Sequence, residues 1–296
     1  MNEGQKTTVR LSYNEQASNY AARRMMQTGN LHRLLDLVQQ RGLFGERNEL
    51  RVLDVGCGNA VCCHVLRERF ESVKFDYTGI DLSDELIRLG RESLGDDAEL
   101  IVGDAESMPF EHGAFDLVLS NSVLHWLNVP SQGLSPAKAI AECSRVLSPD
   151  GLLAMSISGA GTAGRLLDAY NAVVPDFGPN NVVAGTRLDP IGSMSLSEVV
   201  QLVEATGMSV VSGTLNYEPV EYPAPVDYLK DVRAYGYRVF TRPAGEERRE
   251  ELWAALSSRF SESVAERPYR HEQYMIYALA LRPTQESSAG RAHPSR

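Results

Sequence analysis

The stretch from Arg51 to Ala60 limits the fold more than any other part of the chain. Val52, Leu53 and Val55 are strand formers, and Gly56 and Gly58 then break the strand. Val61, Cys62, Val65, Leu66 and Phe70 follow in an apolar helical pattern. The order is strand, glycine turn, helix. Such a turn lets backbone N–H groups, including that of Cys57, and a helix N-terminus approach a nucleotide-like ligand.

Two residues select the ligand. A dinucleotide fingerprint requires Gly-x-Gly-x-x-Gly/Ala, and its sixth position here is Val61. Asp54 stands two residues before Gly56. A carboxylate there faces an ammonium group favourably and repels a pyrophosphate. A dinucleotide oxidoreductase is therefore disfavoured. The stretch resembles the first motif, acidic-x-Gly-x-Gly, of class I S-adenosylmethionine-dependent methyltransferases.

Composition narrows the partners. The net charge is −10 with no dense Lys/Arg block, which argues against a nucleic-acid partner. No apolar run is long enough for a membrane span, and the first ten residues are polar rather than signal-like. A cytoplasmic protein with no membrane partner is expected. Cys57, Cys62, Cys63 and Cys143 form no CxxC pair and have no distant His cluster, so no metal is expected. With 296 residues and a 43% hydrophobic share, the chain can build one large domain with a smaller cap.

Downstream, a second strand over 74–80 ends at Asp81, placed to accept both ribose hydroxyls, with Leu82 against an adenine face. Ser83, Asp84 and Glu85 start the next helix. A short third strand over 98–102 leads to Gly103, Asp104 and Ala105. Asp54, Asp81 and Asp104 thus end three successive strands, and such ends lie along one edge of a parallel sheet. The family resemblance implies that Asp104 accepts from the adenine amino group and that the Ala105 N–H meets a ring nitrogen. Around the fourth strand, Phe115–Ser120, the resemblance is strongest. It implies that backbone near Ser120 and Asn121 holds the methionine end, and that His125 and Trp126 reach the transferred methyl. A helix from Ser135 to about Leu147, a Ser148–Gly151 turn and a fifth strand over 152–157 complete the matching third of the chain.

The flanks are less specific. Residues 1–12 are expected to fray. Asn30 is expected to cap a helix with Leu31, Leu34, Leu35 and Val38 on its apolar face. In methyltransferases of this resemblance an N-terminal helical segment forms a lid, which implies Tyr13 at the cofactor and Tyr20 and Gln27 at the acceptor; packing on the domain explains the two tyrosines equally well. Ser195 to Glu198 reads as a capping box. Sixth and seventh strands are expected over 209–217 and 274–281, and 245–263 as a charged helix.

The expected fold is α/β: a Rossmann-like, seven-stranded, mostly parallel sheet with its last strand antiparallel, under a helical cap. The expected division is lid helices over 1–45, the S-adenosylmethionine-binding domain over 46–217 and 272–282, a cap insertion over 218–271, and a disordered tail over 283–296. The resemblance implies S-adenosyl-L-methionine as cofactor, S-adenosyl-L-homocysteine as product, and a small-molecule acceptor; a homo-oligomer stays open.

Trp126 and Gln27 also look similar to the acid clamp of the malonyl-carrier-protein, trans-aconitate and juvenile-hormone-acid carboxyl methyltransferases. Both are hydrogen-bond donors suited to a carboxylate. His125 departs from that group, where Gln is frequent. It serves either as a base for a hydroxyl, amine or carbon acid, or as a hydrogen-bonding support. O-methylation of a carboxylate or hydroxyl is favoured over C- or N-methylation of a natural-product scaffold. A non-catalytic S-adenosylmethionine-binding protein is the rival from another class.

Overall fold

The computed structural model describes residues 3–23, 25–42, 48–128, 135–178, 188–264 and 267–284. Two helices come first, α1 (Glu3–Arg23) and α2 (Met25–Gln40). An alternating segment follows: β1 (Glu49–Val55), α3 (Val61–Arg69), β2 (Lys74–Asp81), α4 (Asp84–Leu94), β3 (Glu99–Val102), β4 (Phe115–Asn121), α5 (Ala137–Val146) and β5 (Leu147–Ser158). The rest comprises α6 (Gly164–Val173), α7 (Leu196–Glu204), β6 (Ser209–Tyr217), β7 (Val220–Tyr222), α8 (Pro225–Thr241), α9 (Arg249–Ser263), β8 (Tyr269–His271) and β9 (Tyr274–Leu281).

Seven strands form one sheet in the order β3-β2-β1-β4-β5-β9-β6. β9 runs antiparallel to both its neighbours, and the remaining pairings are parallel. This is the expected Rossmann-like sheet with its last strand reversed. Alternation along each strand fills two layers. Leu50, Val52, Leu117 and Leu119 pack with α2 and α3, while Leu53, Val55 and Val118 pack with α5 and α7. The chain winds from β1 outward to β3, then returns to place β4 on the other side of β1. That reversal opens a crevice beyond the carboxyl ends of β1 and β4.

A third apolar cluster forms the cap: Tyr228, Phe240, Leu256, Phe260 and Tyr269, with Leu166 and Tyr170 of α6. The cap core thus takes chain from before β6 as well as from 218–271. Within it, β7 and β8 pair as a separate antiparallel ribbon, absent from the sequence-based expectation.

Three local expectations are corrected. Residues 3–12 are not frayed: they are the first turns of α1, which lies along α8 and is tied to it by the Arg238–Glu15 ion pair and a bond from Ser12 Oγ to the Tyr235 carbonyl. Asn30 is not a cap, because α2 already begins at Met25. The charged helix begins at Arg249 rather than at Gly245. The Ser195 capping box is present, with Ser195 and Glu198 bonding reciprocally. The tail expected to be disordered lies outside the described residues from 285 onward.

Candidate active site

The crevice holds a cavity of about 830 Å³. Its floor is the ends of three adjacent strands and the turns that leave them: Gly56 and Gly58 after β1, Asp81 and Leu82 after β2, and Gly103, Asp104 and Ala105 after β3. Asn121 and Trp126 close it on the β4 side, and Lys6, Arg10 and Tyr13 of α1 cover it. Helix α1 is fixed at two places. Asn14 accepts from Ser83 Oγ at 2.6 Å and donates to Asp84 at 2.7 Å, and Lys6 pairs with both Asp104 and Glu106.

The glycine turn works differently from the sequence-based expectation. The N–H groups of Gly56 and Cys57 both donate to the Ile80 carbonyl, at 2.7 and 3.1 Å, and that of Gly58 donates to Asp81 Oδ2 at 2.9 Å. These donors lock β1's turn to the end of β2 instead of facing the cavity. What Gly56 contributes is space: its φ is +73°, and a Cβ there would lie 2.4 Å from a Val123 methyl. The Cys57 thiol is buried, and burial pushes it well above the usual thiol range.

Beneath the turn is a smaller recess of about 420 Å³, lined by Asp54, Gln27, Thr28, Cys57, Asn59 and Asn121 among others. Asp54 is 3% exposed and accepts from Tyr77 Oη at 2.6 Å. Burial raises its carboxyl to about 7; the Tyr77 bond opposes the rise and the Asp81 charge adds to it. Asn121 joins this recess to the main cavity and donates to the Gln27 carbonyl at 2.9 Å.

A third recess, about 550 Å³, opens on the far side of Trp126 beneath the cap. Tyr13, Ser122 and Trp126 line both it and the main cavity, so the two meet there. Gln27 lines it as well. Tyr13 meets Trp126 edge-on, with ring centroids 6.4 Å apart. His125 is 5% exposed, and its Nδ1 accepts from the Ser158 N–H at 3.5 Å. Burial lowers its imidazolium to about 3. The Tyr20 side chain lies outside the described residues.

Sequence reasoning missed several residues here. Asn30 sits between the recess and the sheet, donating to Ser122 Oγ and accepting from Gln273 and Tyr277. Gly192 packs against the turn that carries His125 and Trp126, where a Cβ would lie 2.1 Å from the His125 carbonyl oxygen. Asp189 holds that loop by accepting from the N–H groups of Ile191, Gly192 and Ser193. A Gly in an irregular stretch is the single local signal these residues left.

Residues 53–155 match the model of a methyltransferase domain family. The malonyl-[acyl-carrier protein] O-methyltransferase of Geobacter sulfurreducens is 32% identical over 77% of this chain and 80% of its own length. The chain belongs to the class I S-adenosylmethionine-dependent methyltransferases. Solved methyltransferases share the fold. A Bacillus halodurans chain described as a methyltransferase superposes with a TM-score of 0.54 at 21% identity, covering 86% of this chain and 100% of that one. Phosphoethanolamine N-methyltransferase 2 of Haemonchus contortus, solved with S-adenosyl-L-methionine, gives 0.51 at 16% identity, covering 86% and 53%.

This methyltransferase is an enzyme, and its cofactor is S-adenosyl-L-methionine. The crevice suits such a donor chemically. The apolar side chains of Ile80, Leu82, Leu86 and Val123 line it together with Asp81 and Asp104, and the buried Asp54 lines the recess beneath the glycine turn. The non-catalytic and dinucleotide alternatives fall with the family assignment. Among the described residues no group of His, Cys, Asp and Glu could hold a metal ion, and no helix is long and apolar enough to cross a membrane.

Proposed function

We propose that this enzyme transfers the methyl group to a carboxylate oxygen of an organic acid, either free or carried as an acyl group. The observation that carries the reading is that Trp126 and Gln27, both hydrogen-bond donors, line one recess that meets the donor cavity at Trp126. Its histidines, His125 and His271, are both held neutral by burial, which lowers each to about 3. His125 Nδ1 also lies 3.5 Å from the Ser158 backbone nitrogen, in reach of its N–H. A hydroxyl or carbon acid would need a base. A carboxylate is already ionised. No charged side chain lines the recess among the described residues, so an anionic acceptor is drawn chiefly by the donor's sulfonium charge.

The relative named a malonyl-carrier-protein O-methyltransferase supports the same chemistry. When bound, the donor supplies an activated methyl, and the protein's task is to align the acceptor with it. In this reading Trp126 and Gln27 donate to the acid, and Tyr13 braces the indole. Tyr20 remains on the acceptor side of the lid. Asp81 accepts the ribose hydroxyls, Leu82 lies against the adenine, and Asp104 and Ala105 read its edge. Gly56, Cys57, Gly58 and Asn121 shape the methionine channel, and Asp54 faces the ammonium.

The test compares two variants. Trp126→Phe is expected to raise the acceptor KM roughly 10-fold, the equivalent of one lost hydrogen bond, with the donor KM nearly unchanged. At saturating donor, the pH profile of kcat is expected to stay flat from about pH 6 to 9. A rise in kcat with a midpoint near 6.5, abolished in His125→Asn, would instead establish the base mechanism with a protonated hydroxyl, amine or carbon acceptor.

Asp54 gives a second measurement. Its raised carboxyl pKa means that the ligand-free fold binds more protons than the unfolded chain between pH 3.8 and about 7, so this group costs the fold stability as pH rises through that window. An ammonium in the recess reverses the shift. Donor binding at pH 7 is then expected to release about half a proton per site, read by calorimetry in buffers of different ionisation enthalpy. Asp54→Asn is expected to remove the release.

A further inference from the structure

Ser156 of β5 is fully buried, and Leu152 and Ala154 precede it on the same face of the strand. A buried hydroxyl costs stability unless it is bonded. This one is bonded toward the end of β4. It donates to Asn121 Oδ1 at 2.7 Å, accepts from the Ser122 N–H at 2.9 Å, and lies 3.4 Å from Ser122 Oγ. The Ser156 carbonyl accepts from the same N–H at 3.0 Å. Ser122 has a φ of +61°, a left-handed conformation that persists in a serine only where its surroundings hold it.

These bonds belong to a chain that runs in one sense. Gln273 Nε2 donates to Asn30 Oδ1 and Asn30 Nδ2 to Ser122 Oγ, each at 3.1 Å. The Ser156 proton goes to Asn121, so Ser122 is the donor between the two hydroxyls. Asn121 Nδ2 then donates to the Gln27 carbonyl of α2 at 2.9 Å. Bonds that share one sense reinforce each other and fix the orientation of every member. For Asn121 the chain sets Oδ1 toward β5 and Nδ2 toward α2. Its second Nδ2 hydrogen has no partner among the described residues, on a side chain that lines both the donor cavity and the recess of Asp54.

We propose that Ser156 is a positioning residue for the donor: by holding the Asn121 amide in this orientation, it keeps an N–H available to the carboxylate of the donor's amino-acid end. The inference rests on the reading above that places Asn121 at the methionine channel. An amide N–H and a carboxylate, here Asn121 and Asp54, together match a group that carries a carboxylate and an ammonium. Without the Ser156 hydroxyl, Oδ1 loses its partner. The amide is then free to turn, and turning brings an oxygen against the donor's carboxylate.

Calorimetric titration with two ligands tests this. S-adenosylhomocysteine carries the amino-acid end; 5′-methylthioadenosine keeps the nucleoside and the sulfur but lacks it. Ser156→Ala is expected to weaken S-adenosylhomocysteine about 10-fold, the size of one lost hydrogen bond, and to leave 5′-methylthioadenosine within about 2-fold. Asn121→Ala is expected to give the same selective loss. Adding Ser156→Ala to it should cost nothing further, because the serine acts through that amide. A merely structural serine would weaken both ligands alike, and in both backgrounds. Ser156→Cys keeps the side-chain shape with a weaker donor, so a smaller loss of the same selectivity is expected from it whether or not the alanine variant folds. Undiminished affinity in these Ser156 variants, equal weakening of both ligands, or a loss that persists in the Asn121→Ala background overturns the inference alone. If Asn121→Ala keeps the wild-type preference for S-adenosylhomocysteine over 5′-methylthioadenosine, the placement of Asn121 at the methionine channel falls, and the inference with it.

Discussion

Asp81→Ala is expected to raise the dissociation constant for S-adenosylhomocysteine by at least about 100-fold, a loss of roughly 2.7 kcal/mol. In the proposed reading the carboxylate has two duties. Within the protein, Oδ2 accepts from the Gly58 N–H at 2.9 Å and Oδ1 from the Ser83 N–H at 2.8 Å. These bonds join the turn after β1 to the turn after β2, and a bond to a charged group is worth about 1.5–3 kcal/mol. Toward the cavity, the same oxygens keep lone pairs for the ribose hydroxyls. Alanine removes both contributions. Asp81→Asn retains one oxygen acceptor and is expected to lose less, about 10-fold, as for a single hydrogen bond. Calorimetric titration measures the affinity, and circular dichroism confirms the fold. An alanine variant that stays folded and binds with undiminished affinity would sink the assignment of this carboxylate to the donor.

Gly56→Ala is the other large expected effect, and it acts by shape alone. The φ of +73° is strained for any residue with a Cβ, by about 1–2 kcal/mol. The new methyl would also lie 2.4 and 2.5 Å from the two Val123 methyls, and overpacking of this kind costs about 1–3 kcal/mol. The chain at Val123 leads into the turn Leu124–Leu127, which carries His125 and Trp126. One substitution is therefore expected to lower stability by roughly 2–5 kcal/mol and to weaken both donor and acceptor binding. Val123→Ala in the same chain should relieve the clash with the two methyls and leave the backbone part and the contact with the Val123 Cβ at 2.9 Å. The resulting coupling, about 1–3 kcal/mol in a double-mutant cycle of denaturation midpoints, is the measurable signature. Additive effects would show that the methyls do not collide.

These two positions were legible before any coordinates because their information is local. A strand that ends in an acid or a glycine, followed by a helix start, announces itself within about ten residues. The order of those units places Asp54, Asp81 and Asp104 on neighbouring strand tips through the right-handed crossover. Even so, the local pattern misassigned the turn's donors. Whether an N–H faces a ligand or a neighbouring carbonyl depends on how closely β2 approaches, and the Ile80 carbonyl took the N–H groups of Gly56 and Cys57.

The recess beyond Trp126 and the helices around it were far less legible. Residues 3–12 read as polar and frayed because their helix is held by partners distant in sequence, Arg238 and Tyr235 of α8. Asn30 looked like a cap because Asn favours caps, but its side chain serves Ser122, Gln273 and Tyr277. The sequence left His125 open as a base or a hydrogen-bonding support, and the burial that lowers its imidazolium to about 3 depends on segments distant in the chain. His271 and Gln273 carried no motif. The sequence alone determined the mostly parallel sheet with its reversed last strand and the three carboxylates at successive strand ends, since hydrophobic period and turn chemistry act between near neighbours. Tertiary structure decided which polar groups are buried and how they are paired, because desolvation and hydrogen-bond pairing depend on what distant segments bring to the same few ångströms.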